Sequence, residues 1–163
     1  MKLNVILIIA ASMVAATCQD KTSDTSLTSP DGEINVSFSL SQEGIPHYLV
    51  SAYGQAVINS SELGLEAAEA ELAKGFTIKE IHRSSKDEQW EQPWGENKVM
   101  RDNHREMAVE MANGQGVKLT LRFKAFDDGV GYRYEYDATA VTDSVTIIGD
   151  HTYFNFAQDG MSW

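Results

Sequence analysis

The sequence predicts an all-β chain folded as an antiparallel β-sandwich. Residues 119–136 supply the first reason. Leu119, Leu121, Phe123 and Ala125 share one face, and Thr120, Arg122 and Lys124 share the other. Beyond Asp127-Asp128-Gly129-Val130-Gly131 the same period of two returns in Tyr132, Tyr134 and Tyr136. Alternation on both sides of a Gly-bearing connection is a hairpin signal. Gly129 and Gly131 are expected to take the positive φ that a tight reversal needs. The second reason is spacing, since roughly nine or ten short strand segments are separated by turn residues every 8–12 positions. The third is size: 163 residues, 42% of them hydrophobic and 23% charged, suffice for one domain with a real core.

The elements follow in chain order. Met1-Lys2 is a short basic start, and residues 3–16 are apolar apart from Asn4 and Ser12. That run is shorter than the ~20 residues a bilayer span requires, so residues 1–17 read as a secretory signal peptide. Cys18 is the only cysteine and follows Ala15-Ala16-Thr17, which resembles a bacterial lipoprotein signal with Cys18 as the lipidated first residue. The alternative is cleavage near Ala16, leaving a free thiol. One cysteine cannot form an internal disulfide, so the core must stabilise the fold unaided. Residues 18–29 are polar and rich in Ser and Thr, and are expected to be a flexible tether ahead of a sandwich over 30–163.

Pro30-Asp31-Gly32 reads as a turn. Ile34, Val36, Phe38 and Leu40 alternate with polar residues as in a half-buried strand. Glu43-Gly44-Ile45-Pro46 reverses the chain, Tyr48, Val50 and Ala52 form the return strand, and Gly54-Gln55 turns into a short strand over 56–58. Leu63-Gly64-Leu65 is a short apolar piece. Residues 66–74 are rich in Ala, Glu and Leu and fit either two helical turns, marginal at that length, or a surface loop. Phe76, Ile78 and Ile81 suggest a strand, 84–91 an exposed polar stretch, and Met107, Val109 and Met111 another strand before the turn Asn113-Gly114-Gln115-Gly116. Val141, Val145 and Ile147 mark one more strand region, and 153–156 the last.

The formal net charge of -11 argues against a nucleic-acid partner, because phosphate binding needs clustered Lys and Arg. His47, His82, His104 and His151 form no metal pair at helical or finger spacing and read as surface or turn residues. Asp127-Asp128-Gly129 lacks the alternating acids and later Glu of a calcium loop and reads as a turn. Asn35-Val36-Ser37 and Asn59-Ser60-Ser61 match the glycosylation sequon, without consequence behind a bacterial type of signal. Glu91, Glu96, Glu106 and Asp150 sit in separate contexts and imply no catalytic pair. Residues 90–96, Trp90-Glu91-Gln92-Pro93-Trp94-Gly95-Glu96, are more unusual. Pro93 biases Gln92 toward an extended shape, and Gly95 permits a bend. Two readings stay open: Trp94 and Glu96 bind substrate, the indole stacking on a sugar and the carboxylate taking its hydroxyls, or the loop is pinned by tryptophan burial.

Taken in order, Thr28-Ser29-Pro30-Asp31-Gly32, Leu63-Gly64-Leu65, Pro93-Trp94-Gly95-Glu96 followed by Arg101 and Glu106, and residues 126–135 resemble the N-terminal domain of glycoside hydrolase family 97. The resemblance runs from about Leu27 to Trp163. It departs at His104 and Arg105, where the family usually has Tyr and Asn.

The resemblance implies a sandwich similar to galactose mutarotase, here incomplete, packed on a catalytic (β/α)₈ barrel. It implies an exported enzyme acting on α-linked glucosides or galactosides, assisted by calcium, in the periplasm or as an outer-membrane lipoprotein of a Gram-negative bacterium. The acid and base or nucleophile of the family lie on barrel loops, and the glutamate that the N-terminal domain lends to calcium follows the segment resembling Gly160-Met161-Ser162-Trp163. No catalytic or metal residue is therefore carried over, and no cofactor is assigned to this chain. The expected role is a non-catalytic support of the barrel that helps shape the sugar pocket. The rival is a stand-alone exported carbohydrate-binding or interaction lipoprotein.

Overall fold

The computed structural model describes residues 24–136 and 145–159. The signal segment, Cys18, Val141 and Gly160-Met161-Ser162-Trp163 lie outside them, as does the tether up to residue 23. The described residues form eleven strands: β1 (Ser26–Thr28), β2 (Ile34–Leu40), β3 (Pro46–Ala52), β4 (Gln55–Glu62), β5 (Leu65–Ala67), β6 (Glu71–Leu72), β7 (Phe76–Glu91), β8 (Val99–Asn113), β9 (Lys118–Phe126), β10 (Val130–Tyr136) and β11 (Ile147–Asp150). Three antiparallel sheets result, ordered β1-β2-β3-β4, β10-β9-β8-β7 and β11-β5-β6.

The two four-stranded sheets face each other, as a sandwich requires. Val36 and Phe38 from β2 and Tyr48 and Val50 from β3 meet Met107, Val109 and Met111 from β8 and Leu119, Leu121, Phe123 and Ala125 from β9 in one core. Period-two alternation does this, because every second side chain of a strand points to the same sheet face. Ring pairs fix the alignment of the layers. Phe38 lies 6.0 Å from Phe123 and Tyr48 5.4 Å from Tyr132, so β2 crosses β9 and β3 crosses β10.

Four expectations are corrected. The tether ends earlier than residue 29: Ser26–Thr28 pair with β2, and Leu27 is buried. Arg83 of β7 clamps this strand by donating to the carbonyls of Ser26 and Asp24, both at 2.6 Å. Residues 66–74 hold strands β5 and β6 rather than helical turns or a loop, because Leu72 is buried and β11 supplies an edge for β5. A solitary two-turn helix has no comparable way to satisfy its backbone. Neither Gly129 nor Gly131 has positive φ. The β9–β10 loop closes with the Phe126 amide donating to the Gly129 carbonyl at 2.8 Å, and its tip is tied down where the Asp31 amide donates to Asp127 Oδ1 at 2.9 Å. Residues 153–156 form no regular strand. They run beside β4 through one bridge, Ile58 to Phe156, and through the Asn59 amide donating to the Asn155 carbonyl.

The outward face of the β7–β10 sheet carries charge in place of apolar side chains. Arg122 sits at its centre and donates to Glu135 at 2.6 and 2.9 Å and to Glu106 at 2.6 Å. Arg133 donates to the same Glu135 at 2.7 Å. The Arg122 hydrogen bonds, then those from Arg133, hold the Glu135 carboxyl down at about 2 against an ordinary 4.5. A depressed carboxylate contributes stability that is present above its unfolded value and lost as pH falls through the folded one. The urea midpoint is therefore expected to drop between pH 4.5 and about 2, and to drop less steeply in Glu135→Gln. Parallel pH curves for the two proteins would show that this pairing does not persist in solution.

Candidate functional site

The β7–β8 hairpin outgrows the sheet it belongs to. The third strand, β9, stops at Phe126, which stands opposite His104, itself opposite Lys86. Beyond that rung five more pairs follow, from Asp87 with Asn103 to Glu91 with Val99, and they have only each other. At about 3.4 Å per residue this makes a two-stranded arm reaching roughly 17 Å past the sandwich. The stretch expected to be merely polar and exposed is exposed but is strand. On β7 every arm residue is exposed, so no alternation marks that strand.

Ion pairs brace the arm. Arg101 grips Asp87 with two parallel bonds, Nε to Oδ1 and Nη2 to Oδ2, each 2.8 Å. Lys86 reaches Glu88 at 2.9 Å and Asp102 at 3.4 Å, and Lys98 reaches Glu91 at 3.4 Å. At the arm's base sits His104, expected at the surface but only 3% exposed. Its ring lies 5.1 Å from Phe126, and Nδ1 lies 2.5 Å from Asp102 Oδ1. The His104 hydrogen bond, with Lys86 behind it, holds the Asp102 carboxyl below its ordinary range. An ionised carboxylate only accepts, so Nδ1 carries the hydrogen. The burial follows from register, which sets the imidazole beside Phe126 on one face.

The tip is the turn over residues 92–98. The Gln92 amide donates to the Lys98 carbonyl at 3.0 Å and its Nε2 to the Asn97 carbonyl at 3.1 Å. Gly95 has φ 116°, and a Cβ there would stand 2.8 Å from Gln92 Nε2. Trp90 lies on β7, half exposed, opposite Met100. Trp94 at the tip is 86% exposed, so burial of this tryptophan does not pin the loop. Glu96 is exposed and has no ion-pair partner among the described residues. The tip thus presents an indole face two residues from a carboxylate, a pairing suited to a sugar's C–H face and hydroxyls.

Asp24, Asp31, Glu69, Asp87, Asp102 and Glu135 are all held below the usual carboxylate range, in each case foremost by hydrogen bonds from neighbours. A general acid near neutral pH needs the opposite shift. The one group of three potential metal ligands among the described residues is Glu80, His82 and Glu110, all exposed. His82 Nε2 lies 3.1 Å from Glu110 and 3.7 Å from Glu80. An imidazole and two carboxylates do not fit calcium, which takes 6–8 oxygens.

The family model described as Glycosyl-hydrolase 97 N-terminal matches residues 27–163. Among solved structures, a glycoside hydrolase family 97 enzyme from Pseudoalteromonas sp. strain K8 is 38% identical, with a TM-score of 0.76 both in complex with panose and in complex with acarbose. In each case the match covers 81% of this chain and 20% of that one. A β-arabinopyranosidase matches with a TM-score of 0.74 at 24% identity, over 82% of this chain and 21% of its own, a likeness of fold alone. The chain therefore spans about a fifth of the length of these enzymes.

Proposed function

The chain belongs to glycoside hydrolase family 97, whose N-terminal domain it matches, and on that basis we propose that it supports the family's (β/α)₈ catalytic barrel and forms one wall of the sugar pocket without catalysing hydrolysis itself. The observation that carries this reading is the family match over 27–163 in a chain whose match covers about a fifth of the enzymes it resembles. The β7–β8 arm is the part suited to reach a neighbouring domain, and Trp94 and Glu96 at its tip are the residues assigned to an α-linked glucoside or galactoside. The leader and Cys18 make it an exported protein anchored by lipid. Its partner is the barrel, and calcium is assigned to residues outside those described.

Two experiments test this. The chain alone, supplied with calcium and aryl α-glucosides or α-galactosides, is expected to show no turnover above background, and measurable hydrolysis would overturn the non-catalytic reading. A chimera in which this chain replaces the matching fifth of the Pseudoalteromonas enzyme is expected to hydrolyse aryl α-glucosides, and Trp94→Ala is expected to lower its kcat/KM. A folded chimera that ignores Trp94→Ala would remove the arm from the pocket. The exposed Trp94 keeps one rival in play, a stand-alone carbohydrate-binding lipoprotein, and saturable quenching of tryptophan fluorescence by maltooligosaccharides, lost in Trp94→Ala, would favour it.

A further inference from the structure

The β3–β4 hairpin reverses at Tyr53-Gly54, and both residues have positive φ, 53° and 75°. Ala52 pairs directly with Gln55, so the loop has two residues. Such loops call for Asn-Gly or Gly-Gly, whose backbones accept the left-handed region. Tyrosine is a poor occupant, because its Cβ crowds the following carbonyl there. Tyr53 is the one non-glycine with positive φ among the described residues. The core does not compensate, since the side chain is 70% exposed. A strained aromatic held out at a loop tip points to something outside the fold.

The ring does not stand alone. Tyr53, Gln55, Val57, Phe156, Gln158 and Asp159 line one open groove of about 560 Å³. Phe156 is 67% exposed and stacks on Phe154 at 6.5 Å and 19°. Its backbone is held by the bridge to Ile58 and by the Ala157 amide donating to the Val57 carbonyl at 3.0 Å. Tyr53 is thus presented by a two-residue turn between paired strands, and Phe156 by a segment bridged to β4.

The lining selects the ligand class. Among the described residues no Lys or Arg lines the groove, which disfavours phosphates and other anions. The groove is open, unlike the enclosed apolar clefts that hold lipids or drug-like ligands. Two aromatic side chains beside two amides and one carboxylate match an uncharged ring with C–H faces and many hydroxyls. We propose that this groove is a second sugar site, binding a neutral oligosaccharide at the β4 edge of the sandwich. It is independent of the barrel, so a failed chimera leaves it standing.

Panose is the probe, titrated into the ¹⁵N-labelled chain. Saturable shifts are expected at the amides of Tyr53, Gly54, Gln55 and Gln158. Tyr53→Asn relieves the turn and is expected to melt about 2–4 °C higher while binding panose about five-fold more weakly. Phe156→Ser changes an exposed side chain, keeps the fold, and is expected to weaken binding by a similar factor. No saturable shift in the groove up to about 50 mM panose, or Tyr53→Asn binding like the parent, would overturn the proposal. Shifts confined to the arm tip would do the same. Shifts that follow protein concentration rather than panose would reassign the groove to contact with a second copy.

Discussion

Phe123→Ala is expected to destabilise the domain by about 3–5 kcal/mol, the range for emptying a large aromatic position in a packed core. Phe123 is fully buried and stands where the two sheets meet. Its ring lies 6.0 Å from Phe38 of the opposing sheet and 6.0 Å from Tyr132 of its own. It also pairs with Met107 on one side and Tyr132 on the other. Truncation therefore removes apolar contact in three directions, and paired strands limit how far the site can collapse. Against a total stability of roughly 5–15 kcal/mol, the change lowers the melting temperature by about 10 °C or more. Lys118→Ala, exposed on the same strand, is expected to stay within about 0.5 kcal/mol. Denaturant unfolding of both variants measures the difference. A loss below about 1 kcal/mol for Phe123→Ala would mean that the sheets do not pack face to face as described.

How much of this could be read from sequence depends on whether one face of each strand is buried. β9 is buried on one face only, so Leu119, Leu121, Phe123 and Ala125 announced both the strand and its inward side. β7 behaves oppositely. Its first part carries Phe76, Ile78 and Ile81 toward the core, but from His82 onward every residue is exposed, and the pattern that would reveal a strand vanishes. The arm was therefore invisible as a strand, although Trp90-Glu91-Gln92-Pro93-Trp94-Gly95-Glu96 marked its tip. Residues 66–74 misled in another way. Ala, Glu and Leu favour helix locally, and long-range pairing with β11 overrode that preference.

At the candidate sites the same limits hold. Trp94 and Glu96 were legible as unusual composition, but their exposure was not. His104 looked like a surface residue because nothing in its neighbours predicts a register that sets it beside Phe126. Tyr53 was missed because the turn was placed one residue late, at Gly54-Gln55. The signal was present, since Tyr-Gly between two alternating segments occupies the place of Asn-Gly in a two-residue hairpin.

Gly44→Ala carries the second large effect, and its origin is backbone rather than core. Gly44 lies in the reversal between β2 and β3 with φ 71°. The turn is closed by the Ser41 amide donating to the Ile45 carbonyl at 2.9 Å, and Ser41 Oγ accepts from the amides of Glu43 and Ile45. This turn presses against the start of β7: the Gly75 amide donates to the Glu43 carbonyl at 2.9 Å and the Phe76 amide to the Gly44 carbonyl at 3.1 Å. A Cβ on residue 44 would stand 2.4 Å from the Phe76 nitrogen, 2.6 Å from its oxygen and 2.8 Å from the Gly75 carbonyl carbon. All three are backbone atoms, so no rotamer change relieves the clash. The turn must lift away, breaking two hydrogen bonds and loosening Phe76, which is buried in the core. Left-handed strain of about 1–3 kcal/mol and two lost bonds near 1 kcal/mol each place the expected loss at about 3–5 kcal/mol. Gly116→Ala separates the two causes: it shares the positive φ, at 82°, but nothing lies within 4 Å of its Cβ position. That variant is expected to lose only about 1–2 kcal/mol. Equal losses in the two variants would show that dihedral strain alone, and not the contact between this turn and β7, is what the glycine at 44 serves.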